Sequence, residues 1–252
     1  MTDRPAGVRL LLLGRFALLV GGTPVDLGGV GSKILAALAL QRRPVPRGVL
    51  GEMLWPERPT DRSRANLRSA IWRMPRSGRE IVEELGDCLA LADRVDVDLR
   101  ALVARCRRLF EHPDELADHP AEVTGYDDLL HDLLPTWDEE WVIVERSRIR
   151  QLRLHALEAL SAVHTGAGRY GPAVDIAAEA LAAEPLRETA VRALMTAHLA
   201  AGNVIDARRA FHAFTAVLRR DLDLAPSPRL AALLAEGYPD VYPAAHPATT
   251  TA

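Results

Sequence analysis

Gly168 and Gly202 stand 34 residues apart, and the same offset aligns Ala156 with Ala190, Leu160 with Leu194 and Ala173 with Ala207. A repeat of this period restricts the fold sharply. Each copy reads as a helix pair in which small residues let two helices approach and a glycine turns the chain between them, the period of a tetratricopeptide unit. Two such pairs cannot bury all their apolar faces alone, so neighbours must close the stack. The helices before Val163 and the segment Arg229 to Leu234 are the expected caps. Upstream, Asp98 at an N-cap position opens LRALVARCRRLF. Asp127 to Leu134 and Glu139 to Val163 continue the helical pattern, with Leu152, Ala156, Leu160 and Val163 inward. Past Glu236 the run YPDVYPAAHPATTTA is poor in large apolar groups, which predicts a disordered tail over 237–252.

The first 97 residues follow a different pattern. VRLLLL, Gly14, RFALLV, Gly21-Gly22 and TPVDL alternate short apolar runs with turn residues and read as a three-stranded meander. Helical periodicity begins at Ser32, a candidate N-cap, with Ile34, Leu35, Leu38 and Ala39 on one face, and ends at Gln41-Arg42-Arg43-Pro44. A short second helix is expected from about Arg47 to Leu54, stopped before Pro56. A third is expected from an Asp61 N-cap to about Met74, where Pro75 discourages continuation. After a polar turn at Ser77-Gly78, Ile81-Val82 and Cys88 to Leu91 flank Gly86-Asp87 as a hairpin. Three strands, three helices and a closing hairpin outline a winged helix-turn-helix. The fold class is therefore mainly α: a winged helix with a small β-sheet over 1–97, then an all-α tetratricopeptide-like domain over 98–236.

Charge separates the same two parts. The net charge of −3 conceals +9 on residues 1–79, from 14 basic and 5 acidic residues, and −12 on the remainder. Arg58 to Arg79 holds seven arginines and one aspartate. With Leu67, Ile71 and Met74 inward, Arg62, Ala65, Arg68, Ser69, Trp72 and Arg73 fall on the outer face of the third helix. Such a face suits the major groove of DNA, where guanidinium groups reach phosphates or bind guanine edges bidentately. A solvated surface helix is the plainer alternative, and the short helix before it and the hairpin after it favour the groove. Trp72 is placed either in contact with the groove or backbone, or packed under the hairpin. Trp55 is expected as a core anchor, and Trp137 and Trp141 share a face if the helix already includes Trp137.

Other chemistry finds no support. Gly28-Gly29-Val30-Gly31-Ser32-Lys33 misses both phosphate-loop patterns, because Ser32 separates Gly31 from Lys33 and Ile34 stands where a third glycine is needed. The eight histidines form no HExxH, and no nucleophile elbow appears. Asp138-Glu139-Glu140 at a helix start reads as a set of dipole partners. Cys88 and Cys106 give neither a disulfide framework nor a zinc site. No catalytic residue, metal ligand or cofactor site is assigned. Apolar runs far shorter than about 20 residues, and an N-terminus interrupted by Arg15, predict a cytoplasmic protein without a membrane span.

The run RPVPRGVLGEMLWPERPTDRSRANLRSAIWRM resembles the DNA-binding region of the Streptomyces antibiotic regulatory proteins, a family of actinobacterial transcriptional activators. LLPTWDEEWVIVERSRIRQLRLHALEAL, GRYGPAVDIAAEALAAEPLRETAVRALMTAHLAAGN and LDLAPSPRLAALL are similar to the bacterial transcriptional activator domain that follows it in that family. The resemblance covers roughly Val8 to Leu234, in the expected order, and is to the small class that has no ATPase module. It implies an OmpR-like winged helix reading direct repeats in promoter DNA, a helical domain supporting a homodimer, and contact with RNA polymerase holoenzyme or its sigma factor. Activation of a secondary-metabolite gene cluster is the implied role. Pro75 and the lack of a Gly-Tyr pair in the hairpin depart from the family pattern. Arg62, Arg68, Ser69, Trp72 and Arg73 are expected to face the groove, and Lys33, Arg47, Arg64, Arg76 and Arg79 to hold phosphates. The alternatives are a repressor using the same domain, or an interaction scaffold in which the repeats bind a protein or ligand.

Overall fold

The computed structural model describes residues 7–41, 43–113 and 125–237. The tail expected over 237–252 therefore lies outside the described residues, save Gly237. Two compact units divide the chain. The first holds residues up to Arg105 together with His131–Arg150, and the second holds Cys106–Leu130 with the residues from Gln151 onward. The units interleave along the sequence, whereas the sequence reading cuts once, after residue 97. Fold class is as read: a winged helix with small sheets and a mainly helical remainder.

In the first unit, β1 (Val8–Leu11), β2 (Ala17–Val20) and β3 (Thr23–Val25) form the expected meander. A fourth strand, β7 (Val95–Val97), adds parallel to β1, with Val8 opposite Val95 and Leu10 opposite Val97. Its Val-Asp-Val alternation buries both valines, the period-two signature of a half-buried strand. Helix α1 runs over Gly28–Leu40 and starts four residues before the expected Ser32 cap. Ser32 sits inside the helix and its hydroxyl donates to the Gly28 carbonyl at 3.0 Å. Residues Ile34 to Ala39 are buried on every side, because α1 packs against α2, α3 and β6 together. A helix apolar all round is stable only when enclosed in this way.

The pair that defines the helix-turn-helix is α2 (Arg47–Leu54) and α3 (Thr60–Arg73). Their close crossing depends on two small residues. A Cβ added at Gly51 would lie 3.1 Å from the Ser63 Cβ and 3.2 Å from its carbonyl carbon, so the helices could not approach this closely with a larger residue. Trp55 ends α2 half-buried and is not the core anchor expected of it. Pro59, not Asp61, occupies the N-cap of α3, and Asp61 lies in the first turn, where its carboxylate complements the helix dipole. Met74 is extended before Pro75, as the proline requires, and a four-residue helix α4 (Arg76–Arg79) replaces the polar turn expected there.

The hairpin forms as read, from β5 (Val82–Leu85) and β6 (Cys88–Leu91) around Gly86-Asp87, with Gly86 at φ +63°. A two-residue strand β4 (Val45–Pro46) completes this sheet along β6; its proline is tolerated on an edge. Helix α5 (Asp98–Glu111) follows β7. The Asp98 carboxylate accepts the N–H groups of Leu12 at 2.9 Å, Leu13 at 3.0 Å and Leu99 at 2.7 Å, tying the end of β1 to the start of α5.

The helix expected from Asp127 to Leu134 is one turn, α6 (Asp127–Leu130), and Leu134 adopts φ +42°. Residues from His131 onward instead pair with the backbone just past β1. Leu13 and Leu133 form an isolated β-bridge, and Gly14 N–H donates to the Asp132 carbonyl at 2.7 Å. The long helix α7 begins at Glu140 and ends at Gly166, so Trp137 precedes it. Trp137 stacks on Phe16 at 5.6 Å and meets Trp141 edge-on at 6.3 Å.

In the second unit, α8 (Tyr170–Ala183), α9 (Glu188–Ala200) and α10 (Val204–Leu222) follow the rest of α7. The 34-residue period extends to the backbone. Gly168 and Gly202 both take left-handed angles, φ +71° and +75°. Arg169 donates to the His164 carbonyl at 2.9 Å, and Asn203 to the His198 carbonyl at 2.8 Å, the six-to-one closure of a glycine-terminated helix. Ala173, Ala190 and Ala207 are fully buried where the helices touch. The expected cap is α11 (Pro228–Gly237), whose Leu230 and Leu234 close a cluster around Val191, Met195, Phe214 and Leu218.

Candidate nucleic-acid interface

Helix α3 separates its two chemistries cleanly. Leu67, Ala70 and Ile71 are buried, while Arg62, Ala65, Arg68, Ser69, Trp72 and Arg73 are exposed, as the helical spacing predicts. Arg62 and Arg68 form no ion pair with any described residue and extend from the helix into solvent. The Arg73 Nε caps its own helix by donating to the Ser69 carbonyl at 3.1 Å. Trp72 is 68 % exposed, so it is not packed under the hairpin. Its ring carries the Arg79 guanidinium 5.1 Å from the centroid, a cation–π contact, and Arg79 also donates to the Trp72 carbonyl at 3.4 Å.

Asn66 also lies exposed on this face, between Arg62 and Ser69, although the sequence reading passed over it. Its position four residues after Arg62 was the available signal. An Asn amide can pair bidentately with adenine, complementing the preference of arginine for guanine.

Of the cations expected at phosphates, Lys33, Arg47, Arg64 and Arg76 have carboxylate partners, while Arg79 lies on Trp72. Arg47, at the start of α2, meets Glu84 of β5 at 2.8 Å. Arg64 on α3 meets both oxygens of Asp87 at 2.5 and 2.6 Å. Arg76 pairs with Glu80 at 2.6 Å; this hydrogen bond and the arginine charge hold the Glu80 carboxyl below its ordinary range and raise the Arg76 guanidinium above its own. Lys33 on α1 pairs with Glu139. The partner carboxylates come from the hairpin, from α4–β5 and from the segment before α7, none of which a helical wheel relates to α3.

Among the described residues, no group of three His, Cys, Asp or Glu side chains is arranged to hold a metal ion, and no helix is long and apolar enough to cross a membrane. Cys106 is buried and Cys88 half-buried, and neither is in a disulfide.

Residues 126–236 match the family model of the bacterial transcriptional activator domain. No curated protein matches the chain. Among solved structures, Mycobacterium tuberculosis EmbR, determined in complex with a low-affinity phosphopeptide, shares the fold with a TM-score of 0.77 at 22% identity. The match covers 92% of this chain and 65% of that one, so the chain spans about two thirds of the length of its structural relative. Residues 126–236 are thus similar to the bacterial transcriptional activator domain, and the chain as a whole shares its fold with EmbR.

Proposed function

We propose that the protein is a sequence-specific DNA-binding regulator that activates transcription from promoters bearing direct repeats, without a catalytic step. The observation that carries this reading is the outer face of α3, where Arg62, Arg68 and Trp72 stand exposed on a helix anchored by Leu67 and Ile71. Burying one stripe fixes the helix; leaving the cations unpaired on the opposite stripe prepares it for a polyanion. Arg62, Arg68, Ser69, Trp72 and Arg73 face the groove in this assignment. Lys33, Arg47, Arg64, Arg76 and Arg79 hold phosphates and set the register. The bacterial transcriptional activator domain supports the activating sign, contact with RNA polymerase holoenzyme through its sigma factor, and pairing of two copies on the repeats. Control of a secondary-metabolite gene cluster from within the cytoplasm completes the proposal.

Gel-shift titration of Arg68→Ala and Arg73→Ala on a promoter fragment recovered from genomic DNA tests the groove assignment. Loss of a base-reading arginine costs about 1–3 kcal/mol at its own base pair, whereas loss of a phosphate contact weakens binding to every sequence alike. Unchanged affinity in both variants would remove α3 from the groove.

A further inference from the structure

The β5–β6 hairpin is the wrong sign for a wing that binds phosphate. Residues 80–91 contain Glu80, Glu83, Glu84 and Asp87 and no basic residue. Glu83, Glu84 and Asp87 are all exposed at or next to the turn. The two residues nearest the helix-turn-helix are not idle: Asp87 presents both carboxylate oxygens to the Arg64 Nη2 at 2.5 and 2.6 Å, and Glu84 lies 2.8 Å from the Arg47 Nη2. The turn is also tied down by backbone, since the Arg47 N–H donates to the Asp87 carbonyl at 2.9 Å. The two carboxylates are thereby held against α2 and α3 at the positions a phosphate oxygen would take on those arginines.

We propose that Asp87 and Glu84 are resident counter-anions of the DNA interface: they occupy Arg64 and Arg47 in the free protein, and the nucleic-acid backbone must displace them before those arginines bind phosphate. This rests on the DNA-binding reading above and adds two residues that set its affinity from outside the contact face. The exchange is feasible because both pairs are open to water. Side-chain exposure is 41% and 63% for Arg64 and Asp87, and 20% and 64% for Arg47 and Glu84, and pairs this exposed are weak. A staple that merely held the wing in place would make the opposite prediction, because cutting it would loosen the fold and weaken binding.

The experiment uses the full chain and a short mixed-sequence duplex, followed by fluorescence anisotropy over a salt series, so that only the sequence-independent contact to phosphates is read. Asp87→Asn and Glu84→Gln are each expected to tighten binding about two- to fivefold, the range an exposed ion pair allows. The slope of log K against log salt is expected to stay that of the wild type, since the same arginines neutralise phosphates in both complexes. Asp87→Glu should bind as the wild type does, and Arg64→Ala should abolish the gain from Asp87→Asn. If Asp87→Asn fails to fold, Glu84→Gln, which leaves the turn's backbone untouched, decides the matter. Unchanged or weakened binding in the folded variants overturns the proposal while leaving DNA binding intact. Failure of the wild type to bind any duplex at low salt overturns the DNA-binding reading, and this inference with it.

Discussion

Loss of the Arg146 side chain should destabilise the first unit measurably. Its guanidinium reaches back from α7 to three backbone carbonyls, with Nε on Leu133 at 2.7 Å and Nη2 on Leu134 and on Trp137, the last at 2.6 Å. Leu133 and Leu134 are fully buried, and Leu134 is held in the left-handed region at φ +42°. Leucine is strained there by about 1–3 kcal/mol, and only the surrounding frame keeps it. Arg146→Ala removes a charged donor worth about 1.5–3 kcal/mol per bond and takes the guanidinium from the Leu133 carbonyl, while the Leu134 carbonyl keeps the Trp137 N–H at 3.0 Å. The three bonds share one group and do not add, so a total loss of about 2–3 kcal/mol is expected, the upper range for hydrogen bonds to a charged group. Arg146→Lys offers a single ammonium in place of the planar fork and should recover about half of it. Urea unfolding followed by tryptophan fluorescence reads the change directly, since Trp137 and Trp141 sit beside the site. Hydrogen exchange should localise it to the amides of Gly14 and Leu134, which pair with Asp132 and Leu12 across the same junction. A loss below about 0.5 kcal/mol, the level of an ordinary surface substitution, would refute the reasoning, as would equal stability of the Lys and Ala variants.

Two further outcomes follow from the same kind of argument. Gly168 turns at φ +71° with nothing within 4 Å of an added Cβ, so Gly168→Ala should cost about 1–2 kcal/mol through backbone strain alone; Gly166→Ala, in the last turn of α7 with equally open surroundings, should be neutral or stabilising by about 0.5–1 kcal/mol in thermal melting. Burial pushes the Asp98 carboxyl above the ordinary aspartate range, more strongly than its three backbone N–H donors pull it down. The folded state therefore holds that proton more tightly than the unfolded chain, and the stability it contributes is present below the unfolded pKa and lost as pH rises through the folded one. Acidification from about pH 6 to about pH 4 should raise wild-type stability relative to Asp98→Asn, measured by urea midpoint; the opposite drift would show that the N–H donors outweigh burial.

Most of the fold was readable because its signals are local. Gly86-Asp87 between two apolar runs dictates a hairpin, Pro75 ends α3, and a period of 34 carries the helix pairs down to matching turn angles at Gly168 and Gly202. The misses in the sheets and at Asp127–Leu134 share one cause: each depends on a partner distant in sequence. Val95–Val97 is a strand only because β1 offers an edge to it, and two residues of β4 pair only because β6 lies beside them. Helical spacing over Asp127–Leu134 lost to the bridge that Leu133 makes with Leu13. Trp72 could be placed on the outer face by periodicity, but its cation–π partner Arg79 lies beyond Pro75, where the period no longer applies.

The charge count shows the same limit and gives the more useful correction. A surplus of +9 over residues 1–79 points to nucleic acid, but it treats every cation as available. In the folded unit, Lys33, Arg47, Arg64 and Arg76 each face a carboxylate from another element or the next turn, whereas Arg62 and Arg68 face solvent. Glu80, Glu84, Asp87 and Glu139 all lie beyond residue 79, so dividing the sequence there places each pair's cation on one side and its anion on the other. The effective positive field is therefore narrower than the sequence surplus. Under the proposed exchange, Arg62 and Arg68 are flanked by arginines whose charge becomes available when the acidic partner is displaced. An interface built this way gains selectivity for polyanions dense enough to make that exchange, because an isolated anion of unit charge offers those arginines nothing that Asp87 and Glu84 do not already supply.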